Sequence, residues 1–433
     1  MTFSEEQVVA LAPDASSIKA GKDLATPSKW GMRGASEKAL WGECQGSGRL
    51  PYQTQVDLLN LAFKCSCPSR KFPCKHGLAL LLLYVRNQNE FEKNQQPDWV
   101  TEWLGKRIER TEKKAEKQDK PIDAEAQAKR AEARAKKVSD GIDDLQVWMK
   151  DLVRNGLLGV PERAFNFWQN PSKRMVDAQA PGLASMVRSL GKINFYGADW
   201  QYDLLNKLSR IYLATEAYKN LDSLPEDWVE EIKLQVGFTQ SKDELLTQEG
   251  IRDNWQVLSR TYVEDEQLTI ERNWLFGSKS GRYALLLQFF ANTQVPDLNL
   301  IPGTSVDAEL VFYKGINPNR ALMKVQHSVG SFVTPKFHDS FKSALQIFSE
   351  TTSANPFLEN VPILVSDVVF TKQNHQCFLI DKNGDSVRVA SFESRDIQLL
   401  AVSGGKPCNM FLLANEKEFE PISAWVNNQY IVL

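Results

Sequence analysis

Three of the six cysteines and one of the four histidines fall within twelve residues, as Cys65-x-Cys67, then six residues, then Cys74-x-His76. Thiolate sulfur and imidazole nitrogen favour zinc over magnesium or calcium, and a Cys3His set without a spare position is the composition of a closed, tetrahedral structural zinc site. On a strand, residues two apart point to one face, so Cys65 and Cys67 can converge on one ion. Inside a helix such residues diverge, so Cys74 and His76 cannot share a metal from within a regular helix. Pro73 resolves this by marking a helix start, with Cys74 in the entry turn and His76 in the first turn. The pattern predicts a small ββα unit around one zinc ion. Cys44 is expected to pack in a strand, and Cys377 and Cys408 read as apolar β-core residues.

The ligands stand among cations. Lys64, Arg70, Lys71 and Lys75 surround them with no acidic residue close in sequence, and Phe72 lies between them. A basic patch with an aromatic fits a phosphate backbone, which makes Arg70, Lys71 and Lys75 candidate nucleic-acid contacts. A second origin is as good: zinc with three thiolates carries a formal charge of -1, and neighbouring cations stabilise it directly.

The elements that must position these residues can be read outward from them. Lys75 to Arg86 is an apolar helix. Ahead of the ligands, Gly46-Ser47-Gly48 is a turn signal between two strand-like runs, with Tyr52, Thr54 and Val56 alternating on the second. Ser4-Glu5-Glu6-Gln7 reads as a capping box opening a helix from Glu5 to Ala10, and a second short helix is expected over Ala15 to Lys22. Beyond a polar exit from Asn87 to Asp98, residues 105–140 are dominated by Ala, Lys, Glu and Arg and read as a solvated helical linker without a coiled-coil seam. Ile142, Leu145, Trp148, Met149, Leu152 and Val153 then recur at helical spacing, as do Trp200, Leu204, Leu205, Leu208, Ile211 and Tyr212. Met175 to Gly182 reads as a helix end turned by Pro-Gly. From about Leu268 the period becomes that of strands, with hairpins predicted around 278–282 and at Lys382-Asn383-Gly384. The expected fold class is α+β multidomain: a small ββα zinc finger near the N-terminus, a helical middle domain and a β-rich C-terminal domain. The expected divisions are 1–100, a charged helical linker over 101–140, a helical domain over 141–255 and a β-rich domain over 256–433.

Composition excludes several classes. With 433 residues, 42% hydrophobic and 24% charged, the chain can bury large cores, and a net charge of -2 rules out polyanion binding by bulk charge. The imbalance is regional: residues 1–140 hold 24 basic against 19 acidic residues, and the remainder 28 against 35. No basic segment followed by an apolar run opens the sequence, and the longest apolar stretch, Leu78 to Val85, is too short for a bilayer, so no membrane contact and a cytoplasmic location are expected. No P-loop, GxSxG or HExxH motif occurs. His327, His338 and His375 lack a carboxylate pattern and read as surface or turn residues.

The CxC, six residues, CxH pattern followed by an apolar helix resembles the SWIM zinc finger. WGECQGSGRLPY ahead of it, CSCPSRKFPCKHGLALLLL through it, and DDLQVWMKDLVRNGL and MVDAQAPGLA downstream resemble the bacterial SWIM zinc finger family. The resemblance implies zinc binding, a role in binding DNA or protein, and association with a MoxR-type AAA+ ATPase and a von Willebrand A domain protein. The leading expectation is a non-enzymatic, protein-binding adaptor in an ATPase-containing assembly. A DNA- or RNA-binding protein using the basic finger, with weak binding, is the second reading. An enzyme with an unrecognised site in the C-terminal domains is the third.

Overall fold

The computed structural model describes residues 5–9, 11–12, 14–46, 50–58, 61–69, 71–92, 96–116, 124–162, 166–197, 199–265, 268–290, 298–374, 376–390, 393–427 and 429–433. Two short helices, α1 (Glu5–Val9) and α2 (Ala15–Leu24), open the chain. Then β1 (Trp30–Ala35), β2 (Ala39–Cys44), β3 (Tyr52–Asp57) and β4 (Ala62–Cys65) form an antiparallel meander in sequence order, with α3 (Lys75–Arg86) packed on it. The finger is therefore not a free ββα unit. It is the end of a four-stranded sheet, and β1 and the packing of α1 and α2 are additions to the sequence reading. Helix α3 is buried continuously from His76 to Leu83. A helix apolar all round must be covered all round, and here the sheet takes one side while α1 and α2 take the other. Leu40, Val56, Phe63, Leu78 and Leu81 form the centre of that core.

The charged stretch is helical. It holds α4 (Asp98–Glu116), whose Val100 packs with Ala39 and Trp41, and the first half of α5 (Ala124–Arg154). Helix α5 runs unbroken into the middle region, and from Val138 onward it supplies Ile142, Leu145, Met149 and Leu152 to a second core. The same core takes in α6 (Asn166–Asp177), α7 (Pro181–Leu190), α8 (Trp200–Lys219) and α9 (Glu226–Val236). A helix does end in the run from Met175 to Gly182 as expected, but the turn is made by Ala178 and Gln179, the latter at φ 62°, and Pro181-Gly182 open the next helix instead, with Pro181 at the first position of α7. Gly182 is required there: a Cβ at that position would stand 2.2 Å from the Gln235 carbonyl oxygen of α9.

After α10 (Lys242–Thr247), strands β5 (Ile251–Asp265), β6 (Leu268–Gly277), β7 (Tyr283–Phe290), β8 (Thr304–Phe312) and β9 (Arg320–Ser331) close a barrel in the order β5-β6-β7-β9-β8. Strand β5 begins at Ile251, a few residues before the 255/256 boundary read from the sequence. The last region alternates helix and strand: α11 (Phe341–Ala354), β10 (Val361–Gln373), β11 (Gln376–Ile380), β12 (Ser386–Val389), α12 (Glu393–Ser403), β13 (Cys408–Ala414), β14 (Phe419–Val426) and β15 (Gln429–Val432). Its sheet runs β12-β11-β10-β13-β14-β15. Both expected hairpins are present, as β6–β7 and β11–β12. The outer face of β6–β7, with Trp274, Phe276, Tyr283 and Leu285, is packed against Leu364, Phe411, Leu413 and Trp425 of this sheet.

Candidate metal centre

Cys65 is the last residue of β4, and Cys67 follows in the bend beyond the strand rather than on it. Cys74 is the N-cap of α3 and His76 the second residue of that helix. The entry-turn argument thus places the second pair correctly, while the first pair converges because the chain bends after β4. Ligating atoms of all four residues lie within 4.8 Å of one another, and among the described residues no other group of three or more His, Cys, Asp or Glu side chains does this. Cys65 Sγ and His76 Nδ1 are 3.7 Å apart. A tetrahedral zinc site with ordinary bond lengths needs its donor atoms about 3.5–3.8 Å apart, so the set fits zinc, with Nδ1 as the imidazole donor.

The surroundings offer each of the three sulfurs a backbone donor. Backbone N–H groups of Cys67, Ser69 and Gly77 donate to the sulfurs of Cys65, Cys67 and Cys74 respectively. The hydroxyl of Thr54, fully buried on β3, lies 3.2 Å from Cys65 Sγ. The Cys74 hydrogen bond, opposed by burial and aided by His76, Thr54 and the Cys67 N–H, holds the Cys65 thiol down to about 4. The same hydrogen bond, followed by burial, pushes the Cys74 thiol up, and burial raises Cys67. One anion is thus shared among crowded sulfurs, and a divalent cation at their centre stabilises all three as thiolates. The His76 ring is flanked by Tyr52, 5.0 Å between centroids. Phe63 supports the site from below: a Cβ on Gly77 would stand 2.8 Å from its ring. Cys44 is buried in β2 with its thiol raised by burial to about 11, and it is not among the four donors. Cys377 and Cys408 are buried in the C-terminal sheet as expected.

The basic patch changes when seen in space. Lys71 Nζ lies 2.7 Å from Asp14 and 2.9 Å from the Ser16 hydroxyl, both at the start of α2. An acid fifty-seven positions away thus answers a cation that has none nearby in sequence. Glu102 of α4 has its pKa lowered chiefly by its hydrogen bond to Lys106, with Lys64 a lesser contributor. Lys75 is exposed at the first position of α3. Phe72 does not face outward among the lysines; it is half-buried, edge-on to Phe63 at 6.0 Å. Arg70 lies outside the described residues, as does His375. His327 is exposed on β9, whereas His338 is half-buried with its pKa lowered by desolvation. Asp14 and Thr54 are the residues that sequence reasoning passed over. Thr54 had a signal, since it alternates with Tyr52 and Val56 on the strand paired to Cys65; Asp14 had only its helix-capping residue type.

A zinc-stabilised, sheet-anchored module is what the fold and donor set define. Comparison with known families makes it specific: residues 54–84 match the SWIM zinc finger, and residues 133–236 match the SWIM-associated four-helix bundle domain. The chain thus carries a SWIM zinc finger and its associated bundle, the latter covering the second half of α5 through α9. No curated protein and no solved structure matches it. SWIM fingers are typically binding modules for protein or DNA. Among the described residues no helix is long and apolar enough to cross a membrane.

Proposed function

We propose that this chain is a zinc-binding, non-enzymatic, cytoplasmic adaptor that binds protein through its helical and β-rich regions, residues 141–433, within an assembly built around an ATPase. A MoxR-type AAA+ ATPase or a von Willebrand A domain protein is the partner class that the family resemblance suggests. The observation that carries the protein-binding reading is the pairing of Lys71 with Asp14. It removes one of three candidate phosphate contacts, and Phe72 beside it is turned into the core. Small barrels of the oligonucleotide/oligosaccharide-binding type take ligands on their second and third strands. The corresponding β6–β7 face is occupied here by the C-terminal sheet. Nucleic acid remains the second reading, supported by exposed Lys64 and Lys75 and by Arg70, and limited to weak, sequence-independent contact. Domain limits at 1–100, 101–140, 141–255 and 256–433 are the working division.

Affinity capture from the native cell with full-length protein, with and without nuclease, tests the adaptor reading. A specific protein, retained after nuclease treatment, is expected. Capture that disappears with nuclease, together with heparin retention that weakens steeply with salt, would establish the nucleic-acid reading instead.

A further inference from the structure

One end of the β5–β9 barrel, where β5, β7 and β9 begin, carries a cleft of about 490 Å³. Small-molecule sites run from about 300 to 1,000 Å³ and favour barrel mouths and the junctions between regions. Both conditions hold here. The end of the β6–β7 turn (residues 281–283) and the β8–β9 loop (residues 315–319) line the cleft from the barrel, and Asp227, in the first turn of α9, lines it from the helical bundle. The β8–β9 loop is clamped from outside the barrel. Gln240 accepts the Lys314 N–H at 2.9 Å and donates to the Lys314 carbonyl at 3.0 Å. Buried Glu231 of α9 accepts the Ile316 N–H at 3.1 Å, and Asn355 donates to the Ile316 carbonyl at 3.2 Å. Gly315 makes room for that clamp, since a Cβ there would stand 2.7 Å from the Glu231 carboxylate. A wall fixed in this way keeps its shape before a ligand arrives, which lowers the ordering cost of binding.

Two charges on the walls are unmatched. The Arg282 guanidinium lies over the Phe312 ring, 3.9 Å to the centroid, and Phe312 packs on the barrel core. A guanidinium has five N–H donors. Among the described residues the Pro318 carbonyl takes one of them, at 3.4 Å. Burial lowers the Arg282 pKa, and no carboxylate among the described residues offsets that loss. Asp227 has no cation of its own among the described residues, because Lys314 of the neighbouring loop pairs with Glu226 at 3.6 Å. A cation and an anion in one cleft, carried by different regions and not joined to each other, suit a ligand that bears both charges. The planar guanidinium can hold a carboxylate by two parallel hydrogen bonds, and the Asp227 carboxylate can receive an ammonium. A phosphate would meet Asp227 as a like charge, and an uncharged ligand would leave Arg282 unpaired. The amides of Asn317 and Asn319 line the same cleft and can both donate and accept.

We propose that this cleft binds a free amino acid, its carboxylate on Arg282 and its ammonium on Asp227. The assignment goes beyond the adaptor reading, since it stands whether the macromolecular partner is protein or nucleic acid. Thermal unfolding of the zinc-loaded full-length protein tests it, with single amino acids added at about 10 mM, the weak end of specific association. β-Alanine and γ-aminobutyrate are included because they set the two charges further apart. At least one of these zwitterions is expected to raise Tm in a concentration-dependent way. Acetate, which lacks the ammonium, and the amide of the best amino acid, which lacks the carboxylate, should not do so at the same concentration. In calorimetric titration with that best zwitterion, Arg282→Met keeps an apolar stem over Phe312 and should raise Kd by about tenfold or more. Asp227→Asn, at an exposed position that tolerates change, should raise Kd by a smaller factor. Zinc content and circular dichroism should stay unchanged in both variants. Absence of stabilisation by every zwitterion, equal stabilisation by acetate or inorganic phosphate, or wild-type affinity in either variant would each overturn the proposal.

Discussion

The zinc module and the β5–β9 barrel both bury charge, but they neutralise it differently. In the module, three sulfurs and an imidazole converge from the end of β4 and the start of α3, and their charge is balanced by an ion the chain must acquire. In the barrel, Glu271 is fully buried and Arg260 nearly so, and they pair at 2.9 Å; Asn273 and Gln288 donate to the other Glu271 oxygen. That charge is balanced from within. The module should therefore answer to metal supply and thiol chemistry, and the barrel only to its own side chains.

The sharpest break between them is metal loss. Purified protein should carry one zinc per chain, and Cys67→Ser should lose it. Zinc binding contributes on the order of 10 kcal/mol or more in small zinc modules. Elemental analysis checks the stoichiometry. Hydrogen exchange should show α3 and β4 losing protection while the barrel keeps it; equal loss in both would dissolve the contrast.

In the barrel the comparable injury is one-sided. Arg260→Ala strands a buried carboxylate and should cost about 3–5 kcal/mol, whereas Arg260→Met combined with Glu271→Leu should cost far less. Urea denaturation of the single and double variants measures this, and zinc content should not change in either.

A smaller effect is expected from the second layer of the zinc site. Thr54→Val keeps shape but removes the hydroxyl beside Cys65, and should weaken zinc by about 10- to 100-fold. Competition with a chromophoric chelator reads this directly. Unchanged affinity would mean that the backbone N–H donors alone set the thiolate.

The smallest effect belongs to an exposed clamp. Glu5 accepts two hydrogen bonds from Arg86, at 2.8 and 2.9 Å, tying α1 to the end of α3. The Arg86 hydrogen bond lowers the Glu5 pKa. Its stabilisation is therefore complete above the ordinary glutamate range and lost as pH falls through the depressed value. Solvent screening keeps it below about 1 kcal/mol, so Glu5→Gln should mainly flatten the acid limb of a stability profile.

These contrasts also mark what was legible in the sequence. The four ligands stood out because rare residue types clustered at a spacing that only a strand end and a helix start can satisfy. The β6–β7 and β11–β12 hairpins were legible because their turn residues are local signals. Strand β1 was not, since its sequence, WGMRGA, offers two glycines and one large anchor, Trp30, in place of β-branched residues. Helices α11 and α12 were lost within a strand-rich stretch. Their places are fixed from afar: Asp381, forty residues on, accepts the Phe341 N–H at the start of α11, and Arg395 of α12 is held by Glu420 of β14. The Asp14–Lys71 pair, the β7–β9 closure and the Arg260–Glu271 pair are likewise tertiary, set by which surfaces meet rather than by any local pattern.

Helix α5 joins two mechanical environments in one rod. Its 31 residues, at 1.5 Å each, make it about 46 Å long. Within its polar first half it is pinned by Arg134, which donates to the carbonyls of Gln179 and Gly237 and lies over the Phe238 ring at 4.1 Å, and four residues later it enters the bundle core at Val138. The loops that close α6 and α9 are thus both held by one guanidinium on a single continuous helix, so loosening that one contact would release two helix ends together.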